Sequence, residues 1–196
     1  MKEILFVIAM EKEAIDITKK LGLDRVKYNV YRKQNISLLI TGIGKQQTAI
    51  RLAQYLENTE NKPDIIINMG YAGSTNSKIG EWVNVNKSYN YEWNIPGEQQ
   101  YTVEKYDADI IKTLGDKTIS KLPCYSAECF VTSMTIEGDV LFDMELHSIY
   151  LICCMYGIDL ISLKKVSDNL NLEDYYKNID MKEVMELISG LEFLNL

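Results

Sequence analysis

Arginine is scarce in this chain: three occur in 196 residues (Arg25, Arg32, Arg51), and none lies beyond position 51. The guanidinium is the preferred fork for phosphate, so a phosphate site built from arginines of the second half is excluded. Histidine occurs once, at His147, which leaves no histidine pair to ligate a metal. The four cysteines (Cys124, Cys129, Cys153, Cys154) show neither metal spacing nor a disulfide framework, and the adjacent Cys153 and Cys154 sit in an apolar run as small hydrophobes. No cofactor motif and no metal site is therefore expected. Positive charge is outnumbered, giving a net charge of −7, which argues against nucleic acid as a partner. The N-terminal apolar stretch, Ile4 to Met10, is too short to span a bilayer, and Glu11 and Glu13 follow at once, against a secretory signal. With three prolines, no linker, no repeat and no low-complexity tract, the chain reads as one domain over residues 1–196. These absences predict a soluble cytoplasmic protein with no membrane association.

What is present is an alternation of apolar strands and helices. Ile4 to Ala9 is a continuous apolar run, the pattern of a strand covered on both faces. Glu11 to Leu21 is helical, with Gly22 as its C-terminal cap. Val26 to Tyr31 and Ile36 to Ile40 read as strands separated by a polar turn at Arg32 to Asn35. Thr41-Gly42-Ile43-Gly44-Lys45 leads into a helix over Gln46 to Glu57, and Ile65 to Met69 is a second buried run ending in Gly70-Tyr71-Ala72-Gly73. Further on, Trp82 to Val85 predicts a strand, Tyr89 to Gly97 an aromatic loop, Asp107 to Leu114 a short helix and Cys129 to Val131 a short strand. The turn Phe142-Asp143-Met144-Glu145 precedes an apolar helix over Leu146 to Tyr156, then comes a strand at Asp159 to Leu163 and a last amphipathic helix from Met181 to Leu191. This order implies an α/β domain with a mostly parallel or mixed sheet.

Three carboxylates stand at the edges of these buried elements: Glu13, Glu145 and Asp168. A buried unpaired carboxylate costs several kcal/mol or shifts its pKa, so charge left repeatedly in such places points to acid/base chemistry or to recognition of hydroxyls. Each also has a bland reading. Glu13 complements a helix dipole from the first turn, and Asp168 suits a turn or cap. Glu145 is harder to dismiss because it opens an apolar helix, whereas His147 in the same helix reads as packing. The turn Gly42-Ile43-Gly44-Lys45 is neither a dinucleotide fingerprint nor a P-loop, though it can bring backbone N–H groups to a ligand.

Taken in order, these segments resemble the nucleoside phosphorylase superfamily, and within it the 5′-methylthioadenosine/S-adenosylhomocysteine nucleosidases. Ile8-Ala9-Met10-Glu11-Lys12-Glu13-Ala14 is similar to the family's Gly-Ala-Met-Glu-x-Glu start, and Thr41-Gly42-Ile43-Gly44-Lys45 to its Ser-Gly-Ile-Gly-Lys turn. Pro63 to Gly73 follows its Pro-Asp-x-x-Ile-Asn-x-Gly-x-Ala-Gly segment. Asp143-Met144-Glu145 matches its Glu-Met-Glu, and Val166-Ser167-Asp168 its Ile-Ser-Asp. The resemblance implies a three-layer α/β/α fold around a central mixed, twisted sheet.

It also implies roles. Glu13 falls on the carboxylate that activates water and Asp168 on the acid that protonates the purine at N7. Glu145 with Met144 falls on the ribose-binding pair, Phe130 and Val131 on the pair that flanks the purine, and Ile43 near the pocket for the 5′ substituent. Tyr71 stands where the family has a small serine, beside the ribose and water positions, and Lys164 replaces a family arginine. The implied activity is hydrolysis of the N-glycosidic bond of an adenine-type nucleoside, in methionine salvage, by a cytoplasmic homodimer. The alternatives are a phosphorylase of the same superfamily, which the missing arginines disfavour, and a catalytically weak nucleoside-binding protein.

Overall fold

The computed structural model describes residues 2–93, 113–114, 117–180 and 184–189. Ile4–Ile8 (β1) is buried at all five positions, as a strand covered on both faces must be. It feeds α1 (Glu11–Leu21), whose buried residues Glu13, Ala14, Ile17 and Leu21 recur at helical spacing. Gly22, with φ +61°, ends α1 in a left-handed cap.

The stretch expected as one strand from Val26 to Tyr31 is instead a hairpin, β2 (Asp24–Lys27) and β3 (Val30–Lys33), folded at Tyr28 and Asn29. Asn29 holds φ +61°, a conformation that asparagine tolerates better than most residues and that breaks the run. A second turn at Gln34 returns the chain into β4 (Ile36–Ile40), and α2 (Lys45–Asn58) follows.

β5 (Ile65–Ser74) is longer than its apolar core suggests, because Gly70 to Gly73 continue as strand rather than turning. β6 (Trp82–Asn90) likewise runs into the segment expected as loop. The helix expected over 107–114 lies outside the described residues up to 112, and its last two residues form β7 (Thr113–Leu114), paired with β8 (Lys117–Thr118). The strand in this part of the chain is β9 (Ser120–Ser126), while 129–131 is irregular. β10 (Leu141–Asp143) occupies the first part of the expected turn, and α3 (Leu146–Tyr156) has the predicted bounds. β11 (Asp159–Asp168) extends five residues past Leu163. It is followed by an unforeseen helix, α4 (Leu172–Asn178), and by α5 (Val184–Ser189), the described part of the last amphipathic helix.

Among the described residues nine strands form one mixed sheet in the order β10-β9-β6-β11-β5-β1-β4-β3-β2. β1, β5 and β11 are central and mutually parallel, as their two-sided apolar runs require. β10 pairs with β9 and also, antiparallel, with β5, so the sheet curls back on itself at one end. One face packs on α1 and α5 through Phe6, Ile17, Ile67, Leu163, Val184 and Leu187. The other packs on α2 and α3 through Val7, Leu52, Ile66, Ile149 and Val166. The result is an α/β fold with helices on both faces of a mixed sheet, the three-layer arrangement that the resemblance implies. Among the described residues no helix is long and apolar enough to cross a membrane.

Candidate active site

A cavity of about 360 Å³ opens at the carboxyl ends of β1, β5, β10 and β11. Ligands of α/β folds collect at this edge, because the strands deliver their last residues and the following loops to one place. Glu13, Ile43, Tyr71, Phe130, Met144, Glu145 and Asp168 all line it, although they are scattered over most of the chain. Val131 does not: its side chain is buried with Ala127, Val140 and Phe142 behind the wall.

Glu13 fills its bland role as a cap and also faces the cavity. Its Oε2 accepts a hydrogen bond from the Met10 amide (2.9 Å), which caps α1. Its Oε1 points elsewhere, over Gly70, where a Cβ would stand 3.3 Å away. Burial raises the Glu13 pKa, and the Met10 amide, Lys164 and the Tyr71 amide offset part of that rise. The group is thus a stronger base than an exposed glutamate, held in one orientation.

Asp168 ends β11 at a bulge: between Val166 and Asp168 the register against Ala72 and Gly73 of β5 shifts. Bulges re-aim side chains, and this one turns the carboxyl into the cavity beside Gly73. The Ser167 hydroxyl lies 2.8 Å from Oδ2, whereas Oδ1 is buried without a hydrogen-bond partner among the described residues. Burial raises its pKa, against the Ser167 hydroxyl and the amides of Asn171 and Leu170. A buried carboxyl with an unanswered oxygen is suited to hold a proton and pass it to a ligand acceptor. Leu170 carries φ +60°, a strained value for a bulky residue, so the loop leaving Asp168 is held by its surroundings.

Glu145 stands just before α3, and its Oε1 accepts from the Gly44 amide at 2.9 Å. The glycine turn therefore gives this N–H to Glu145 instead of to a ligand, and sets the carboxylate in place. Burial and neighbouring Asp143 push the Glu145 pKa up to about 8, against Lys164 and the Gly44 amide. Two residues of the same cluster are not signalled by pattern. Asp143 accepts from the Ser126 hydroxyl, from the Leu146 amide (2.9 Å) and from Lys164 (2.7 Å). Lys164, replacing an arginine in the resemblance, is fully buried and ion-paired there.

The outer wall is aromatic. Tyr175 of α4 packs edge-on against Tyr71 (6.3 Å between centroids) and Phe130 (5.9 Å), and Lys12 stands 5.5 Å above its ring. Sequence reasoning missed Tyr175 and Tyr176 because α4 has only seven residues, none buried. Its one legible signal is Asn171, whose side chain caps the helix by accepting from the Glu173 and Asp174 amides. His147 is buried with Nδ1 3.3 Å from the Ser88 hydroxyl and takes no part in the cavity, in keeping with a packing role. None of the three arginines lines the cavity. Among the described residues no group of His, Cys, Asp and Glu is placed to hold a metal ion.

Residues 3–188 match the model of the phosphorylase superfamily. Among curated proteins, the 5′-methylthioadenosine/S-adenosylhomocysteine nucleosidase of Buchnera aphidicola from Acyrthosiphon pisum is 24% identical over 205 aligned positions. That alignment covers 88% of this chain and 83% of the relative. Among solved structures, the nucleosidase of the same name from Neisseria meningitidis, in complex with methylthio-immucillin-A, superposes with a TM-score of 0.81 at 16% identity, covering 97% of this chain and 98% of that one. The futalosine hydrolase of Helicobacter pylori does so with a TM-score of 0.81 at 17% identity, covering 97% of each.

Proposed function

The chain belongs to the phosphorylase superfamily, and from that premise we propose that it is a purine nucleosidase hydrolysing an adenine-type nucleoside such as 5′-methylthioadenosine or S-adenosylhomocysteine. The observation that carries this reading is the convergence of Glu13, Glu145 and Asp168 on one cavity, with Asp168 Oδ1 buried and unpartnered among the described residues. The names of the curated relatives and of the ligand-bound neighbour support the substrate class.

In this reading the C1′–N9 bond breaks with its electron pair passing to the purine, while Asp168 delivers a proton to N7. Departure of the base leaves an oxocarbenium-like sugar. Glu13 takes a proton from water as the water oxygen bonds to C1′, and Glu145 accepts hydrogen bonds from the ribose hydroxyls. Free base and free sugar result, Asp168 ends as carboxylate and Glu13 as acid, and solvent restores both. Phe130, Tyr71 and Tyr175 supply aromatic walls, and Ile43 with Met144 an apolar side. Water is favoured over phosphate as the nucleophile because no arginine faces the cavity.

One domain, a homodimer and a cytoplasmic setting in methionine salvage complete the proposal. Four free cysteines, two of them exposed, suit a reducing compartment. Chromatographic assay of methylthioadenosine, S-adenosylhomocysteine, adenosine and inosine, each with and without phosphate, tests the reading. Release of free base independent of phosphate is expected. Phosphate-dependent turnover makes the chain a phosphorylase, and binding without turnover of any of them makes it a nucleoside-binding protein.

A further inference from the structure

We propose that the buried Lys164–Asp143 pair is a positioning device, holding one ammonium as the counter-charge shared by Glu13 and Glu145; this rests on the roles given to those two carboxylates above.

Lys164 projects from the middle of β11, in register with Gly70 of β5. Its side chain is 2% exposed and that of Asp143 is 0%. The space over Gly70 is shared: a Cβ there would stand 3.9 Å from Lys164 Nζ and 3.3 Å from Glu13 Oε1. The ammonium therefore faces Asp143 from β10, Glu145 from the entry to α3, Glu13 from α1 and the Cys124 thiol from β9. Three carboxylates and one cation meet in a largely buried cluster beside the cavity.

Asp143 itself is fully engaged, accepting from the Ser126 hydroxyl, the Leu146 amide and Lys164, so it anchors the ammonium instead of meeting a ligand. Stability alone does not explain such a pair, since apolar replacement of a buried ion pair is often neutral or favourable. Position does explain it. Lysine is a compact point charge on a flexible stem, and its three N–H donors can serve several oxygens at once. The directions agree: burial opposes charge on Lys164, yet Asp143, Cys124 and Glu145 hold its pKa above the ordinary value. In return Lys164 lowers both Glu145 and Glu13, while Asp143 raises Glu145.

Carbon-13 NMR titration of labelled glutamate carboxyls, with Glu145 assigned through Glu145→Gln, tests the proposal without relying on turnover. Lys164→Met should move the Glu145 midpoint up by about one pH unit or more, and Asp143→Asn should move it down. The acidic limb of kcat/KM should follow in both variants. Opposite shifts support the shared counter-charge; no shift, or shifts of the same sign, would make the pair merely structural and overturn it. Should Lys164→Met not fold, Lys164→Gln takes its place, the same upward shift supporting the proposal and no shift overturning it. Variants that show these shifts, beside a parent chain that hydrolyses no nucleoside, would sink the nucleosidase reading and leave the electrostatic one standing.

Discussion

Gly73 makes room for Asp168: a Cβ on Gly73 would stand 2.8 Å from Asp168 Oδ1 and 3.5 Å from its carboxyl carbon. The glycine lies in ordinary strand, so its role here is close approach and not a special backbone angle. Gly73→Ala should therefore push the carboxyl aside while leaving the sheet intact. Since a displacement of about 1 Å at a reacting group can cost ~10²-fold, kcat should fall by that order. Near-normal turnover in this variant would show that Asp168 has no fixed position to lose.

Asp168→Asn keeps the shape and deletes the proton. Turnover should drop by roughly 10²–10⁴-fold, the usual contribution of a positioned acid, with nucleoside affinity largely retained. Steady-state kinetics together with calorimetric binding of a substrate analogue check this, and retained activity would remove Asp168 from the role of acid.

Glu145 links pH to stability. Its folded-state pKa is pushed up to about 8 from an ordinary 4.5, so the unfolded chain releases this proton first. Its contribution to folding is full below about 4.5 and is lost as pH rises toward 8. The ligand-free parent should therefore melt lower at pH 8 than at pH 5, and Glu145→Gln, which cannot ionise, should flatten that difference. Turnover should also fall in this variant, through weaker binding and slower chemistry together. Parallel melting curves for parent and variant across this range would contradict the burial argument.

Tyr71 has two attachments. Its ring lines the cavity but also belongs to the core beneath α1 and α4, edge-on to Tyr175, with 9% of its surface exposed. Tyr71→Ser should cost about 3–5 kcal/mol of stability, as truncation of a buried ring does. If the ring sets substrate preference, the variant should also accept methylthioadenosine more readily relative to adenosine. Thermal melting and paired kcat/KM values measure the two effects separately, and an unchanged ratio would confine Tyr71 to packing.

Local order determines much of this molecule. Ile4, Ile65 and Asp159 open runs whose apolar residues suit both faces of a central strand, and burial on both faces is legible without a fold. α1 and α3 are equally plain, α1 from its helical period and α3 from its apolar run, each closed by a glycine. The three carboxylates are legible for the same reason: a charge at the rim of an apolar element is locally anomalous.

Other features belong to the tertiary structure alone. Gly70 to Gly73 read as the end of a strand, yet β5 runs on through them because β11 pairs with them throughout. Nothing in the sequence pairs Lys164 with Asp143, 21 positions away, until the sheet curls and buries them against each other at 2.7 Å. Tyr175 gains meaning only when α4 sets it between Tyr71 and Phe130. Short-range pattern records which face of an element avoids water. It carries no record of which distant element will cover that face, because that choice is made by the packing of the whole sheet and its helices.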